Sequence, residues 1–383
     1  MTNHTLSLLA SAVLILLTGC KMDPDYTLPG GESSEAILLG DITEDFVLST
    51  GRYHLEGTVR VRRGATLTIE RGTVIGSMPG FDKYILVEQG AKIRILGTAE
   101  EPVVLCADKG YDLPGYWGGL IINGNAPICG ATHRVAEVDE AERDQYYGGD
   151  DPYDDSGEIH YLIIDSPGAS LTADVEHNGL TLNGVGSGTE IDHVAILSSG
   201  DDGLECFGGT VSPHTILVRG AEDDLVDLTD GYRGSISRLY GIYYSSESRE
   251  RGEENLCLIE VDGNLDGRYP DAAGMTSATI TDCTLEVRGK GPDYGLFVRR
   301  GGAIDLSRCE FLGSGRVGQL LRCESEEGRS TITGTYSSRL TASHPGSMVG
   351  ITAQESEQIT GCDLSLFDWA ERYYQCTEVA DQR

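Results

Sequence analysis

Positively charged residues are scarce in this sequence. Lys and Arg together number 29 against 61 Asp and Glu, so the formal net charge is −32. Proteins that bind nucleic acid neutralise phosphates with clustered basic side chains, and this chain has no such excess. The same deficit argues against attraction to an anionic membrane surface by charge. The composition therefore predicts no nucleic-acid partner, and it suits an excreted or surface protein, or one that binds cations.

Proline and aromatic residues are also few. With 12 prolines the chain is neither collagen-like nor a proline-rich linker, and an aromatic share of 7% predicts a lean hydrophobic core. Glycine, in contrast, is abundant, with 51 in 383 residues. A chain of this length forms either two or three compact domains or one elongated repeat domain.

The N-terminus resembles a bacterial lipoprotein signal. Residues 6–17 form an apolar run that is too short to cross a bilayer but fits the hydrophobic region of a signal peptide. The run leads into a Leu-Thr-Gly-Cys sequence that ends at Cys20 and resembles the lipobox, in which the cysteine is acylated and the preceding segment is removed. The alternative is an ordinary secretion signal with a chance cysteine.

This resemblance implies the first two segments of the chain. They are a signal peptide over residues 1–19 and a flexible tether over residues 20–40, anchored to the lipid membrane through acylated Cys20. Lys21 in place of an aspartate implies the outer membrane by the sorting rule of enterobacterial lipoproteins. Whether the protein faces the periplasm or the cell exterior stays open.

The remaining cysteines do not form a metal-binding pattern. Nine are left besides Cys20, and an odd number leaves at least one free thiol even where disulfides form. Their spacing to one another and to the eight histidines does not suggest zinc, so buried or disulfide-bonded cysteines are expected. They are Cys106, Cys129, Cys206, Cys257, Cys283, Cys309, Cys323, Cys362 and Cys376.

Internal repetition is the strongest structural signal. Residues 61–69 match residues 87–95 at an offset of 26, and residues 282–285 match 308–311 at the same offset. Between them, residues 193–196 precede their match at 215–218 by 22. Each stretch alternates apolar and polar residues as a short strand does, with glycine, aspartate and asparagine at the turns. β-Propeller blades need about 40–50 residues, so the period favours the coils of a solenoid.

The repeats predict an all-β fold, a right-handed parallel β-helix of about twelve coils over residues 41–345. In such a fold the glycines supply corners with positive φ. Residues 346–383 are expected to form a C-terminal cap, with one short helix over residues 367–374 that covers the open end. Cys362 and Cys376 flank this helix and are candidates to staple it.

One acidic segment, residues 129–158, interrupts the repeat. An insertion of this size leaves one coil and lies along a face of the solenoid, where such loops often bind ligands. It contains Glu137, Asp139, Glu140, Glu142 and Asp144. Its tyrosines are candidates to stack on sugar rings, and the candidate ligand-binding residues are Tyr146, Tyr147, Tyr153, Asp150 and Asp151.

Two acidic stretches align at the 22-residue offset of their strands. Asp201 falls on Asp223, Asp202 on Asp224, and Glu205 on Asp227. Equivalent residues of adjacent coils lie about 4.8 Å apart, where two carboxylates repel by roughly 3 kcal/mol at an effective dielectric near 20. Dense oxygen ligands favour Ca²⁺. The candidate metal ligands are Asp201, Asp202, Glu205, Asp223, Asp224, Asp227 and Asp230.

Two other interpretations of these acids stay open. A solvated acidic corner would need no ligand. Alternatively, the Gly-Asp-Asp at residues 200–202 looks like a segment of polygalacturonase-type glycoside hydrolases, in which Asp201, Asp202 and Asp223 would perform the acid and base chemistry. Their companion motifs are not present in matching order. A calcium-dependent lyase would need a base, for which Arg219 or Arg233 is the nearest candidate.

A broader set of motifs occurs in a fixed order over residues 55–235. It includes Trp-Gly-Gly-Leu at 117–120, Tyr-Gly-Gly-Asp-Asp-Pro at 147–152, Asn-Gly-Leu-Thr-Leu-Asn-Gly at 178–184 and Asp-Gly-Tyr-Arg-Gly at 230–234. As a set it resembles a family of secreted or lipid-anchored β-helix proteins of Gram-negative bacteria, frequent in Bacteroidetes and marine proteobacteria. The resemblance implies a pectate-lyase-like solenoid and no particular activity.

The sequence favours a surface lipoprotein that binds a glycan or another envelope polymer through one face of the β-helix, assisted by Ca²⁺. The extended face of a solenoid suits a long polymer. Two alternatives stand beside it: a polysaccharide lyase or glycoside hydrolase, and a structural or adhesive solenoid without a discrete site.

Overall fold

The computed structural model describes most of the chain after the predicted signal and tether. The described residues are 36–108, 113–138, 144–172, 175–244, 255–270, 272–324, 329–371 and 373. Residues 1–19, Cys20 and Cys376 lie outside them. The first strand begins at Ala36, inside the segment predicted as tether.

The strands form three parallel ladders, which are the three faces of a β-helix. Several long strands bend at a corner and contribute their first half to face one and their second half to face two. These are β12 Gly157–Asp165, β16 Glu190–Ser199, β18 His214–Ala221, β20 Ser235–Tyr243, β22 Ser277–Val287, β24 Ala303–Gly313 and β27 Thr331–Ser338. Face one also contains β2 Phe46–Leu48, β4 Thr66–Glu70 and β7 Lys92–Leu96.

Face two starts with the first halves of β1 Ala36–Ile42 and β3 Arg52–Val61, whose second halves start face three. It continues through β5 Val74–Ser77 and β8 Val103–Ala107 to the long strands, and it ends at β29 Gln354–Glu355. The ladder on face two therefore has twelve rungs, so the predicted all-β parallel β-helix of about twelve coils is confirmed.

Face three consists of short strands. They are β6 Gly80–Val87, β9 Trp117–Asn123, β15 Leu180–Asn183, β17 Leu204–Phe207, β19 Val226–Thr229, β21 Cys257–Asp262, β23 Tyr294–Arg299 and β26 Gln319–Cys323. Among the described residues, three further strand pairs lie outside the three ladders: β10 Arg134–Val135 with β11 Tyr146–Tyr147, β13 Ser170–Thr172 with β14 Val175–Glu176, and β25 Arg316–Val317 with β28 Thr341–Ala342.

Alternation along each strand places identical apolar residue types on top of one another inside the solenoid. On face one, Ile69 pairs with Ile95, Ile95 with Ile159, and Ile159 with Ile191. All four are at most 1% exposed. Burying each of these side chains contributes about 1.5–3 kcal/mol, and each stack repeats this gain in successive coils.

The corner between faces one and two is a single left-handed residue in six successive coils, with φ of 51–58°. Glycine was expected at such corners, but none of the six is glycine. Their outward side chains contact one another instead: the Tyr161 and His193 rings stack at 4.2 Å, and Arg308 donates to both oxygens of Asp282. These contacts offset part of the roughly 1–2 kcal/mol that each such residue costs. The corner residues are Tyr161, His193, Thr215, Arg238, Asp282 and Arg308.

The predicted C-terminal helix is present, but it packs on the side of the solenoid. A 3-10 helix at Leu364–Phe367 leads into helical residues 368–371. Phe367, Trp369 and Ala370 are buried with Ile163 and Leu217 on the outer surface of face two. That surface is apolar across several coils, so covering it removes apolar area from water. A second 3-10 helix lies at Leu265–Gly267, and no helix in the described residues is both long and apolar enough to cross a membrane.

The eight cysteines within the described residues all carry free thiols. Six of them are buried, and Cys106 and Cys362 are partly exposed. Cys283 and Cys309 are register partners in β22 and β24, so the 26-residue offset between them corresponds to one coil of the solenoid. The expectation of buried cysteines holds for these residues, and the described cysteines form no disulfide.

Candidate functional site

Three carboxylates stack on the outer surface of face three. The register pairs Glu205 in β17 with Asp227 in β19, as the 22-residue offset predicts, and pairs Asp227 with Glu260 in β21. Parallel strands lie about 4.8 Å apart, so each carboxylate has a like charge as its nearest neighbour along the solenoid axis. Sequence reasoning missed Glu260 because its coil is 33 residues long and falls outside the repeat. We call Glu205, Asp227 and Glu260 the acidic column.

Two further carboxylates are buried in the turns that lead into these strands. Asp202 precedes β17 and Asp224 precedes β19, and each accepts a backbone N–H from the next coil. The Asp224 N–H donates to Asp202 Oδ1 at 2.9 Å, and the Cys257 N–H donates to Asp224 Oδ1 at 2.5 Å. One oxygen of each side chain therefore stabilises the turn above it, which leaves the other oxygen for a ligand.

The acids come together in groups that can hold a cation. Asp201, Asp202 and Asp223 form one group and Asp202, Glu205 and Asp227 a second, each with ligand atoms within 4.8 Å of one another. Both groups offer only oxygen, which suits Ca²⁺. Asp202 belongs to both.

A third group joins Asp224 and Glu260 with Cys257. Burial raises the pKa of the Cys257 thiol well above its usual range, so the sulfur stays protonated. A protonated thiol is a poor metal ligand, because the thiolate is the form that binds. This group is therefore a weaker candidate than the two oxygen-only groups.

Burial raises the pKa of the clustered carboxyls, and neighbouring carboxylates raise it further. The pKa values of Asp202, Glu205, Asp224 and Asp227 lie well above the usual range for both reasons. For Glu260, burial raises the pKa to about 7, although the Arg299 guanidinium acts against it. Within the described residues, Asp227 Oδ1 is buried without a hydrogen-bond partner. A bound cation would compensate this arrangement.

Positive charge is placed at one end of the acidic column. Arg299 Nε lies 2.5 Å from Glu260 Oε1, and Arg300 binds Asp262 beside it. At the opposite end, Glu205 accepts a hydrogen bond from the neutral amide of Asn178. The Glu205 end is therefore where an additional cation gains most.

Asp230, predicted as a seventh ligand, lies outside these groups. It is fully buried, and both of its oxygens bind Arg134, with Nε at 2.8 Å from Oδ2 and Nη2 at 2.9 Å from Oδ1. The Tyr147 hydroxyl also donates to Oδ2 at 3.1 Å. Because these contacts occupy the carboxylate, the role of Asp230 is to hold the insertion onto the solenoid.

The insertion covers part of face three beside the start of the acidic column. Its residues Val138 and Tyr147, with Ile128 just before it, pack against Ile121 and Phe207 of the sheet. Glu137, at the edge of this contact, lies near enough to Glu205 to raise the pKa of that carboxyl. The insertion thus forms a wall beside the acidic column. Asp139, Glu140 and Glu142 lie outside the described residues, whereas Asp144 is exposed.

The predicted ligand-binding residues of the insertion differ in exposure. Tyr147 is only 3% exposed and bonds Asp230, so it is not available to stack on a sugar. Tyr146 and Tyr153 are 48% and 77% exposed, and Asp150 and Asp151 are exposed as well. Tyr153 lies beside the Gly186–Gly188 turn, which follows β15 and is at the far edge of face three from Asp202.

The acids proposed for catalysis, Asp201, Asp202 and Asp223, do lie together. One oxygen of each residue lies within 4.8 Å of the others, which is close enough for the three carboxylates to share a cation. Arg219 donates to the Tyr244 hydroxyl at 3.1 Å and Arg233 to the Met275 carbonyl at 3.4 Å. Both arginines named as candidate bases are therefore held by other residues.

The comparison with protein families agrees with this architecture. A family model described as a pectate-lyase like beta helix domain matches residues 40–342. The chain belongs to this family. Its fold is one that suggests polysaccharide binding or processing, and a polysaccharide partner is compatible with it.

Among solved structures, the chain is similar to the enzymatically active domain of bacteriophage CBA120 tailspike protein 2, with 11% identity and a TM-score of 0.33. The alignment covers 76% of this chain and 43% of that chain, so the protein spans less than half of that domain. No curated protein matches the sequence.

Proposed function

We propose that the protein is an outer-membrane lipoprotein that binds an anionic glycan or envelope polymer along face three, through Ca²⁺ held at the acidic groups. The observation that carries this proposal is the cluster of Asp202, Glu205 and Asp227, in which the first two side chains are buried and Asp227 Oδ1 has no hydrogen-bond partner. A cation there removes the repulsion and presents positive charge at the surface of a protein whose net charge is otherwise −32.

The architecture supports a polymer better than a small ligand. Face three extends over successive coils. The insertion lies along one side of the acidic column, and its Tyr146 and Tyr153 stay exposed. Exposed aromatic rings and a bound cation, at separate points along one face, are elements that an anionic polysaccharide engages. The pectate-lyase-like family membership points to the same ligand class.

Calorimetry of Ca²⁺ binding tests the metal step. Chelator-treated protein should bind Ca²⁺, and Asp202→Asn should weaken binding at least tenfold because it removes a ligand shared by both oxygen-only groups. Glu56→Gln, which removes one charge from an exposed position away from the site, is the matched control and should bind like the parent. Equal affinity in Asp202→Asn and the parent would refute the metal site.

Polymer binding is measured separately, with polygalacturonate as the anionic probe and a neutral glucan as the comparison. Retention of the protein on polygalacturonate should require Ca²⁺, and Tyr153→Ala should reduce it. If binding is the same in Ca²⁺ and in chelator, the cation does not mediate it. Absence of binding to both polymers in either condition counts against the glycan proposal.

Catalysis is the second candidate, and the raised pKa of Glu260 favours it, since a carboxyl that titrates near 7 suits a general acid. New reducing ends or unsaturated products that disappear in Glu260→Gln and in Asp201→Asn, Asp202→Asn or Asp223→Asn would establish it. The third candidate, an adhesive solenoid without a site, expects these variants to keep or gain stability and to lose no binding.

A further inference from the structure

Three of the eight histidines gather on the outer surface of face one, away from the acidic column. His160 in β12 pairs in register with Asp192 in β16, and Asp192 pairs with His214 in β18. His193 follows Asp192 at the corner. The fold therefore brings together three histidines that lie on different strands of an otherwise strongly acidic protein.

Beside His160, two glutamates stack in the same strands. Glu158 and Glu190 are register partners in β12 and β16, two residues before His160 and Asp192. One ligand atom from each of Glu158, His160 and Glu190 lies within 4.8 Å of the others. We propose that these three residues form a transition-metal site on face one, occupied by Zn²⁺ or a cation of the same preference.

The geometry fits Zn²⁺ because a tetrahedral site with bonds of about 2.0–2.1 Å has ligand atoms about 3.3–3.4 Å apart. His160 Nε2 lies 3.4 Å from Glu158 Oε2. Glu190 is exposed on the neighbouring strand, so rotation of its side chain can bring a carboxylate oxygen to the third ligand position. One imidazole and two carboxylates leave a fourth position for water or an external ligand.

Glu158 is held ionised and oriented, as a metal-binding carboxylate must be. Arg94, one coil earlier, donates to Oε1 at 2.6 Å, and this contact leaves Oε2 directed at His160. An outer partner of this kind orients a metal-binding carboxylate and keeps it ionised. The imidazole nitrogen distinguishes this site from the oxygen-only groups of face three and selects a transition metal over Ca²⁺.

The neighbouring Asp192 group is a poorer ligand set. Asp192 Oδ1 already lies 2.8 Å from His193 Nδ1 and 2.6 Å from His214 Nδ1. Arg238 Nη2 is 2.6 Å from the same His214 nitrogen. A guanidinium at this distance occupies the position that a metal would take, so the site is assigned to His160 and its two glutamates.

Calorimetry and equilibrium dialysis with Zn²⁺ on the chelator-treated full chain test the assignment. The parent should bind one Zn²⁺ at this site that excess Ca²⁺ does not displace. His160→Ala and Glu190→Gln should each weaken it at least tenfold, while His344→Ala, an exposed histidine in a distant coil, should not. Circular dichroism confirms that each surface variant is folded.

The Asp202→Asn variant separates this site from the proposed Ca²⁺ site, since it should lose Ca²⁺ and keep Zn²⁺. Unchanged Zn²⁺ affinity in His160→Ala would overturn the assignment. So would loss of Zn²⁺ in Asp202→Asn with retention in His160→Ala, because the zinc would then be at the acidic groups.

Discussion

At the scale of single residues, the burial of Glu260 makes the stability of the fold depend on pH. Its side chain is removed from water in the acidic column, which raises its pKa from 4.5 to about 7. A carboxyl whose pKa is higher in the folded than in the unfolded protein binds its proton more tightly when folded. It therefore stabilises the fold fully below about pH 4.5, and this stabilisation is lost as the pH rises through 7.

We expect the free energy of unfolding of metal-free protein to fall between pH 4.5 and 7, by about 1.4 kcal/mol per pH unit for a single such group. The carboxyls of Asp202, Glu205 and Asp227, whose pKa values are also raised, act in the same direction. Urea denaturation at several pH values, in chelator, measures the slope. Glu260→Gln should flatten it, whereas the exposed Glu56→Gln should leave it unchanged.

Calcium supplies a second test of the same prediction. A ligand present at a hundred times its dissociation constant stabilises the folded protein by about 2.7 kcal/mol. The gain from Ca²⁺ should grow as the pH rises through 7, because the raised pKa values keep these carboxyls protonated at lower pH and Ca²⁺ binds the ionised form. A pH-independent stability in chelator, or an equal effect of Glu56→Gln, contradicts the prediction.

At the scale of elements, a buried ion pair helps to attach the acidic insertion to the solenoid, beside its apolar contacts with face three. Arg134 at its first strand binds Asp230 with two nitrogens and also donates to the Tyr269 hydroxyl at 2.9 Å. Because Asp230 is fully buried, removing its partner leaves an uncompensated charge. The attachment keeps the wall of the candidate site in place.

Arg134→Met should therefore cost about 3–5 kcal/mol and expose the insertion to proteases. Arg71→Met is the control, since Arg71 pairs with Glu101 on the surface, where such a pair contributes about 0–1 kcal/mol. Denaturation and limited proteolysis measure the two effects. Adding Asp230→Asn to Arg134→Met should recover part of the loss, and equal costs for Arg134→Met and Arg71→Met would contradict the buried-pair argument.

The repeating elements could be predicted from the sequence because each coil obeys the same packing rule. The 26-residue offset places Thr66 against Lys92 and Cys283 against Cys309, and the structure has these pairs in register. The strand pattern carries this information because a shift by one residue would turn apolar side chains outward.

The candidate site was predictable only in part, because it depends on contacts outside the repeat. The match of Glu205 with Asp227 followed from coil length, but Glu260 follows a longer coil. Asp230 looked like a ligand because its partner, Arg134, is 96 residues away in sequence. Likewise, the alternation in the insertion did not reveal that Tyr147 is buried while Tyr146 is exposed.

At the scale of the whole molecule, a single solenoid accounts for the length and the glycine content, and the negative charge lies mostly on its outer surface. A net charge of −32 repels an anionic membrane surface, so attachment needs a hydrophobic anchor. Acyl chains supply about 0.8 kcal/mol per buried methylene, and two or more chains hold a protein stably. The predicted anchor is Cys20.

Cys20→Ser should move the protein from the membrane fraction to the soluble fraction and abolish labelling by a fatty-acid analogue. Cys106→Ser, which removes a partly exposed thiol of the solenoid, should leave both unchanged. Cell fractionation with metabolic labelling measures the two outcomes. Continued membrane attachment and labelling of Cys20→Ser would refute the anchor.

The uneven compensation of the acidic column gives the molecule a polarity. Arginines lie at the Glu260 end and a neutral amide at the Glu205 end, so the two ends of the column differ in their electrostatic surroundings. A polysaccharide chain also has two unlike ends. A polymer lying along this face would therefore have one preferred direction relative to the solenoid axis. Every copy of the protein would then have the same orientation on its polymer.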